Sequence, residues 1–269
     1  MGKPYHDGRQ NRYYKSMSKT PILIVSGYTK ELAESGDIAR ANHQAYANQH
    51  GYRYQCVREG FNPFKHPSWS KVIFLYEAMS VRDFQGKRPW EWIFWIDADA
   101  IITNQSVELE SFLQGLPPQC EMVIGEDTWG INAGLWFLRN GPWCQQLLID
   151  LWRADPLPFI ESGVKPPIWI EQPRYLVEQS TLWHLLQLRQ EDHRLQLVPY
   201  FRLGGYLAEF DKDSYTPRDQ GMLPPTCNSP LVRQSWKPGD FCLHLAGVPG
   251  ERKAGLLYDA LNDQGNATA

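Results

Sequence analysis

Trp92-Ile-Phe-Trp-Ile96 is an unbroken apolar run, and Asp97-Ala98-Asp99 follows it directly. Five apolar residues without alternation suit a strand covered on both faces, as in a parallel sheet with helices above and below. The chain upstream supplies such layers. Pro21 to Val25 is a β-branched run ending at Ser26-Gly27, which reads as a buried strand. A helical stretch from about Gly36 to His50 is stopped by Gly51, and Tyr52 to Val57 reads as a second strand. Ser68 stands at the N-cap of a helix whose Val72, Leu75, Tyr76 and Met79 fall at i, i+3, i+4 and i+7. Strand, helix, strand, helix, strand over about 75 residues predicts an α/β domain with crossover helices.

Downstream, Glu121–Gly125 and Ile131–Leu138 read as strands, and Trp143, Leu147 and Leu151 share one face of a helix beginning near Asn140. Pro156, Pro158, Pro166, Pro167 and Pro173 crowd the stretch between Ala154 and Val177, which predicts a long irregular loop, functional or disordered. A helix over Glu178–Leu188 and a strand over Leu195–Pro199 follow. Beyond residue 200 the chain is punctuated by Pro and Gly with little period. The expected organisation is a polar leader at 1–20, one domain at 21–258, and a frayed tail at 259–269.

Composition excludes several classes. The 269 residues carry 27 Lys+Arg against 30 Asp+Glu, a balance without the basic face that nucleic-acid binding needs. No apolar stretch approaches the roughly 20 residues of a bilayer span, so no transmembrane segment is expected. The leader carries Lys3, Arg9, Arg12, Lys15 and Lys19 without an apolar core, so it does not read as a signal peptide. Cys56, Cys120, Cys144, Cys227 and Cys242 are odd in number and widely spaced, which points to thiols in a reducing, cytoplasmic setting. The 11 Trp suit a packed core or a sugar-binding surface, with Trp129 and Trp136 as candidates for stacking on a sugar ring.

The chemistry concentrates at Asp97 and Asp99. Alternation along an extended segment sends both carboxylates to one side, and ligands of open α/β sheets gather at the carboxyl ends of the strands. Two facing carboxylates repel and call for a cation, for which Mn²⁺ or Mg²⁺ bridging to a diphosphate is the natural choice. A turn or cap is the other use of an isolated D-x-D. A phosphatase of the haloacid dehalogenase type, with Asp97 as nucleophile, is an alternative, although those enzymes place this strand first and require a downstream acidic pair.

Trp69-Ser-Lys71 before the helix, Trp95-Ile-Asp-Ala-Asp-Ala100 after the strand, Gly130-Ile-Asn-Ala-Gly134 with Arg139-Asn140, Glu178-Gln-Ser180 and His244-Leu-Ala-Gly247 together resemble glycosyltransferase family 34. The similarity spans about Ile22 to Gly250. It implies a GT-A fold, the Rossmann-like nucleotide-diphospho-sugar transferase architecture with a mostly parallel central sheet, and makes 21–258 one catalytic domain with a nucleotide-binding half at about 21–105 and an acceptor half at 106–258. The implied activity is retaining transfer of a hexosyl or pentosyl group from a UDP- or GDP-sugar to a carbohydrate or other hydroxyl acceptor. By the resemblance Asp97 contacts the ribose or sugar and joins Asp99 and His244 at the metal. Lys71, Asn132 and Gly134 lie at the donor, and Glu178 and Gln179 near the reacting face of the sugar. The family continues after H-x-x-G into a Cys-Lys-Pro-Cys-like run whose Lys faces the diphosphate. Here Pro249 takes that place, and Arg252 and Lys253 are its substitutes. That departure also admits a weakened sugar-binding protein. Eukaryotic members carry a membrane anchor, so the expectation for this sequence is a soluble, bacterial-type relative.

Overall fold

The computed structural model describes residues 20–127, 130–154, 178–189, 192–207 and 235–267. Its centre is a six-stranded sheet formed by β1 (Ile22–Gly27), β2 (Arg53–Val57), β3 (Trp92–Ile96), β5 (Met122–Asp127), β6 (Gly130–Arg139) and β7 (Leu195–Pro199). The order is β2-β1-β3-β6-β5-β7. Three of the five pairings are parallel, and β6 runs antiparallel to both of its neighbours. Antiparallel β6 returns its own N-terminal end to the edge where β1 and β3 terminate.

Alternation divides the core as a doubly covered sheet requires. Leu23, Val25, Ile93 and Trp95 pack on one face with Val72, Leu75 and Met79 of helix α2 (Ser70–Ser80) and with Leu147 and Leu151 of α3 (Pro142–Arg153). Ile22, Ile24, Phe94 and Ile96 pack on the other face with Tyr46 and Ala47 of α1 (Ala33–His50). Phe94 stacks on Phe137 of the adjacent strand with ring centroids 4.4 Å apart. Removing such a ring costs about 3–5 kcal/mol, so this pair pins the register of β3 against β6.

A separate pair of short strands, β4 (Ala100–Ile102) and β8 (Cys242–His244), lies antiparallel with Ala100 opposite His244. It packs through Ile101, Leu243 and Leu245 against Ala39 of α1 and Leu257. Leu257 belongs to the last helix; before it come α4 (Glu178–Arg189) and the single turn α5 (Tyr200–Leu203), and the last is α6 (Gly250–Ala267).

Several expectations are corrected. The tail expected at 259–269 is largely helix, because α6 runs to Ala267 and packs Leu261 beside Leu257. Ser68 is not an N-cap: a 3₁₀ turn at Pro67–Trp69 precedes α2, and the His66 side chain accepts from the Ser68 N–H. Tyr76 is 40% exposed rather than part of the buried face. Trp136 is buried in the core and offers no stacking surface, while Trp129 and the proline-rich stretch lie outside the described residues. No helix among the described residues is long and apolar enough to cross a membrane.

Candidate active site

The site forms where β3 ends. The Asp97 N–H donates to the Gly134 carbonyl at 2.8 Å, which extends the β3–β6 ladder by one residue into the D-x-D segment. Trp95 Nε1 donates to Asp97 Oδ1 at 2.5 Å. Lys71, on the first turn of α2, is 5% exposed and sends its ammonium to Asp97 Oδ1 at 3.0 Å, Glu178 Oε1 at 2.8 Å and the Ala133 carbonyl at 3.0 Å. Burial opposes the charge on Lys71, but the pull of Asp97 and Glu178 outweighs it and raises the ammonium above the ordinary lysine value. Burial likewise works against the Glu178 carboxylate, and Lys71 reverses it and holds that carboxyl low. For Asp97, loss of water and the Asp99 charge raise the carboxyl against the pull of Lys71.

The second half of the site comes from the β4–β8 pair. With Ala100 opposite His244, Asp99 stands next to the imidazole, and His244 Nε2 lies 3.2 Å from Asp99 Oδ1. Lys253, on the first turn of α6, reaches Asp99 Oδ2 at 2.5 Å. Burial would raise the Asp99 carboxyl, yet His244 and Lys253 together drive it well below the usual carboxylate range. A buried hydrogen bond joins the Tyr200 hydroxyl to His244 Nδ1 and fixes the ring plane. A Cβ on Gly134 would land inside the imidazole, so that glycine is what lets β6 pass the histidine.

One ligand atom each from Asp97, Asp99 and His244 lie within 4.8 Å of one another. Two carboxylate oxygens and an imidazole nitrogen suit Mn²⁺ or Mg²⁺, with oxygen positions left for water and phosphate. Beside them opens a cavity of about 220 Å³ lined by Gly27, Tyr28, His66, Lys71, Asp97 and Asp99. Tyr28 and Thr29 also line a neighbouring cleft of about 570 Å³ over the ends of β1 and β2. The Asp97–Asp99–His244 cluster and the neighbouring cleft together occupy the carboxyl edge of the sheet, where open α/β sheets bind their ligands.

The model of glycosyltransferase family 34, the galactosyl transferase GMA12/MNN10 family, matches residues 20–116 and 112–254. The chain belongs to this family. An alpha-1,2-galactosyltransferase of Schizosaccharomyces pombe is 22% identical over 274 residues, covering 86% of this chain and 62% of that protein. A probable alpha-1,6-mannosyltransferase, MNN10 of Saccharomyces cerevisiae, is 26% identical over 150 residues, 45% of this chain and 36% of that one. The chain therefore spans about three fifths or less of these relatives' length. Among solved structures, a glycosyltransferase involved in the glycosylation of the major capsid of PBCV-1 superposes with a TM-score of 0.60 at 16% identity. It covers 89% of this chain and 99% of its own. The fold is GT-A. Neither the family nor the fold supports the phosphatase alternative.

Of the residues the family resemblance singles out, Lys71, Asp97, Asp99, Glu178, His244 and Lys253 converge in one connected cluster. Asn132 and Gln179 border it through the backbone: Asn132 Oδ1 accepts from the Gly134 N–H at 2.8 Å, and Gln179 Oε1 accepts from the Ala133 N–H at 2.9 Å. Arg252 is exposed on the turn that carries Lys253. Sequence reasoning missed Trp95 as an Asp97 donor and Tyr200 as the partner of His244. Trp95 was legible as a strand residue and as the start of the D-x-D motif but not as a donor, and an isolated tyrosine before Phe201 carries no signal at all.

Proposed function

We propose that this chain is a divalent-cation-dependent glycosyltransferase that moves a hexosyl or pentosyl group from a UDP- or GDP-sugar to a glycan or other hydroxyl acceptor, with retention. The observation that carries the proposal is the Asp97–Asp99–His244 cluster beside a cleft at the carboxyl edge of a GT-A sheet, in a member of family 34. About 21–105 is the nucleotide-binding half and 106–258 the acceptor half. The free, buried thiols of Cys120, Cys144 and Cys242 favour a reducing, cytoplasmic setting.

The residues divide the work. Asp97, Asp99 and His244 hold Mn²⁺ or Mg²⁺, which when bound neutralises charge building on the diphosphate. Lys253, with Arg252 beside it, adds positive charge on the same side and stands in for the lysine that Pro249 displaces. Glu178 is committed to Lys71, which leaves Gln179 as the side chain facing the sugar; Ala133 holds its carbonyl in place. The bond from C1 to the diphosphate oxygen breaks and a bond from C1 to the acceptor oxygen forms. The acceptor's hydroxyl proton leaves with the diphosphate. Preorganised charge at the leaving group is the largest expected contribution to rate.

A thermal-shift panel of UDP, GDP and their common sugars, each with and without Mn²⁺, tests this. A ligand that binds only the folded chain raises Tm by mass action. A rise with one nucleotide that requires Mn²⁺, followed by release of that nucleotide from its sugar, is the expected result. No rise with any nucleotide, with Mn²⁺ present, would overturn it.

A further inference from the structure

The two strands that bring Asp99 and His244 together are three residues each, and bonds from the Leu245 N–H to the Asp99 carbonyl at 2.9 Å and from the Thr103 N–H to the Phe241 carbonyl at 2.8 Å carry their ladder one residue further at each end. Their hydrogen bonding shows what holds them. The His244 N–H donates to the Gly205 carbonyl at 2.9 Å, and the Gly205 N–H donates to the Cys242 carbonyl at 2.8 Å. Cys242 and His244 therefore face away from β4, and Leu243 faces toward it, because alternate residues of a strand turn their polar groups to opposite sides. Its partner Ile101 faces β8. That leaves the N–H and C=O groups of Ala100 and Ile102 on the outer edge of β4, where no strand among the described residues pairs with them; the Ala100 N–H donates to the Asp97 carbonyl at 3.2 Å and Gln105 Nε2 to the Ile102 carbonyl at 2.8 Å.

Side chains of α1 take the place of the missing strand. The Ile102 N–H donates to Asn42 Oδ1 at 2.8 Å, and Asn42 Nδ2 donates back to the Ile102 carbonyl at 3.0 Å. The amide of asparagine thus pairs with both backbone groups of one residue, as a strand would. One residue along, His43 Nε2 donates to the Ala100 carbonyl at 2.8 Å. Both side chains are buried, His43 completely. Two adjacent polar residues buried in a helix require partners, and both find them on the strand that begins next to Asp99.

We infer that Asn42 and His43 are positioning residues for the cation site: they fix the outer edge of β4, and through the Ala100–His244 register they fix Asp99 against His244. This rests on the cation role proposed above. Loss of either clamp leaves buried backbone groups of β4 unpaired, which loosens the segment that carries Asp99 against His244 without touching either ligand. Groups hydrogen-bonded directly to metal ligands are typically worth about 10–100-fold in metal affinity, and a clamp one residue removed from Asp99 is expected at the lower end of that range.

The test titrates Mn²⁺ alone into the full chain, with free Mn²⁺ followed by its electron paramagnetic resonance signal. Asn42→Leu and His43→Leu remove the clamps, and His43→Gln keeps a donor near the same point. Leu147→Ala, buried in α3, is the control for a comparable loss of stability elsewhere. The expected result is Mn²⁺ binding weakened at least tenfold in the two leucine variants, and within threefold of the parent in His43→Gln and Leu147→Ala. Amide hydrogen exchange at Ile101 and Leu243, measured without metal, should speed at least tenfold in the same two variants alone. If the parent chain binds no Mn²⁺, the cation reading fails and the exchange data still judge the clamp. If Asn42→Leu does not fold, the His43 pair decides. Leucine variants that keep both affinity and protection overturn the inference, as does an equal loss of affinity in Leu147→Ala.

Discussion

Replacing Lys71 with methionine distinguishes an internal counter-ion from a cation that faces the donor. The ammonium is enclosed by two carboxylates at 3.0 and 2.8 Å and by a backbone carbonyl, with 5% of its surface exposed. Methionine fills similar volume and removes the charge, leaving Glu178 buried without its partner. Breaking a buried pair in this way costs about 3–5 kcal/mol, and Glu178 accounts for most of it because Asp97 keeps its Trp95 bond. The cost depends on pH in a defined direction. Burial without Lys71 lifts the Glu178 carboxyl above its unfolded value, so the variant is penalised most above that value and recovers as acid protonates the group. Urea unfolding of the parent chain, Lys71→Met and Lys71→Met/Glu178→Gln at pH 5 and pH 8 measures all of this. The double variant should recover at least half of the loss at pH 8. A single variant within about 1 kcal/mol of the parent at pH 8, with nucleotide affinity lost more than tenfold, refutes the argument; stabilities that close mean the charge was never needed inside.

Lys253→Met removes the ammonium that competes for Asp99 Oδ2, so Mn²⁺ should bind as tightly as in the parent or tighter, while UDP or GDP affinity with Mn²⁺ falls; isothermal titration of each ligand separates the two effects. Gly134→Ala should cost about 1–3 kcal/mol by overpacking against His244 and abolish Mn²⁺ binding, measured by urea unfolding and metal titration. Burial lowers the His43 imidazole from 6.5 to about 4, so its neutral form stabilises the fold above pH 6.5 and that stability is lost as pH falls toward 4. The shift corresponds to about 3 kcal/mol, and His43→Gln should show that much less acid sensitivity in chemical denaturation between pH 7 and 4.

The main sheet was legible because its strands are long enough for pattern to speak. Trp92–Ile96 and Ile22–Val25 have no polar residue to confuse the reading, and both lie within their observed strands. The β4–β8 pair was not legible: three residues cannot display a period, and its stability comes from Asn42, His43 and Gly205, which are remote in sequence. Helix α6 was missed for a different reason. Gly250, Gly255 and Gly265 with Asn262 and Asn266 weaken its intrinsic preference, and it is held by burial of Leu257 in a cluster with Ala39 of α1 and Leu243 of β8. The site shows the same division. Residue types that carry chemistry were found by motif, but their partners were not, since nothing local says that Lys71 answers Glu178.

That pairing changes what the motif means. Three carboxylates, Asp97, Asp99 and Glu178, face two ammonium groups and one imidazole within one connected network. Lys71 is held between Glu178 and Asp97 in the interior, so its charge is spent on keeping the D-x-D segment seated against α4. Lys253 lies at the first turn of a helix and contacts Asp99 alone among these carboxylates. Of the two cations it is the less enclosed, 11% exposed against 5% for Lys71, and the one held by a single carboxylate of this network. The arrangement therefore separates a fixed half, which sets where Asp97 points, from an exchangeable half, in which Asp99 can trade an ammonium for a divalent ion. On the proposed cation role, the site takes up an ion with the donor and releases it with the product; that exchange needs such an asymmetry, and a symmetric cage of buried pairs would resist both steps.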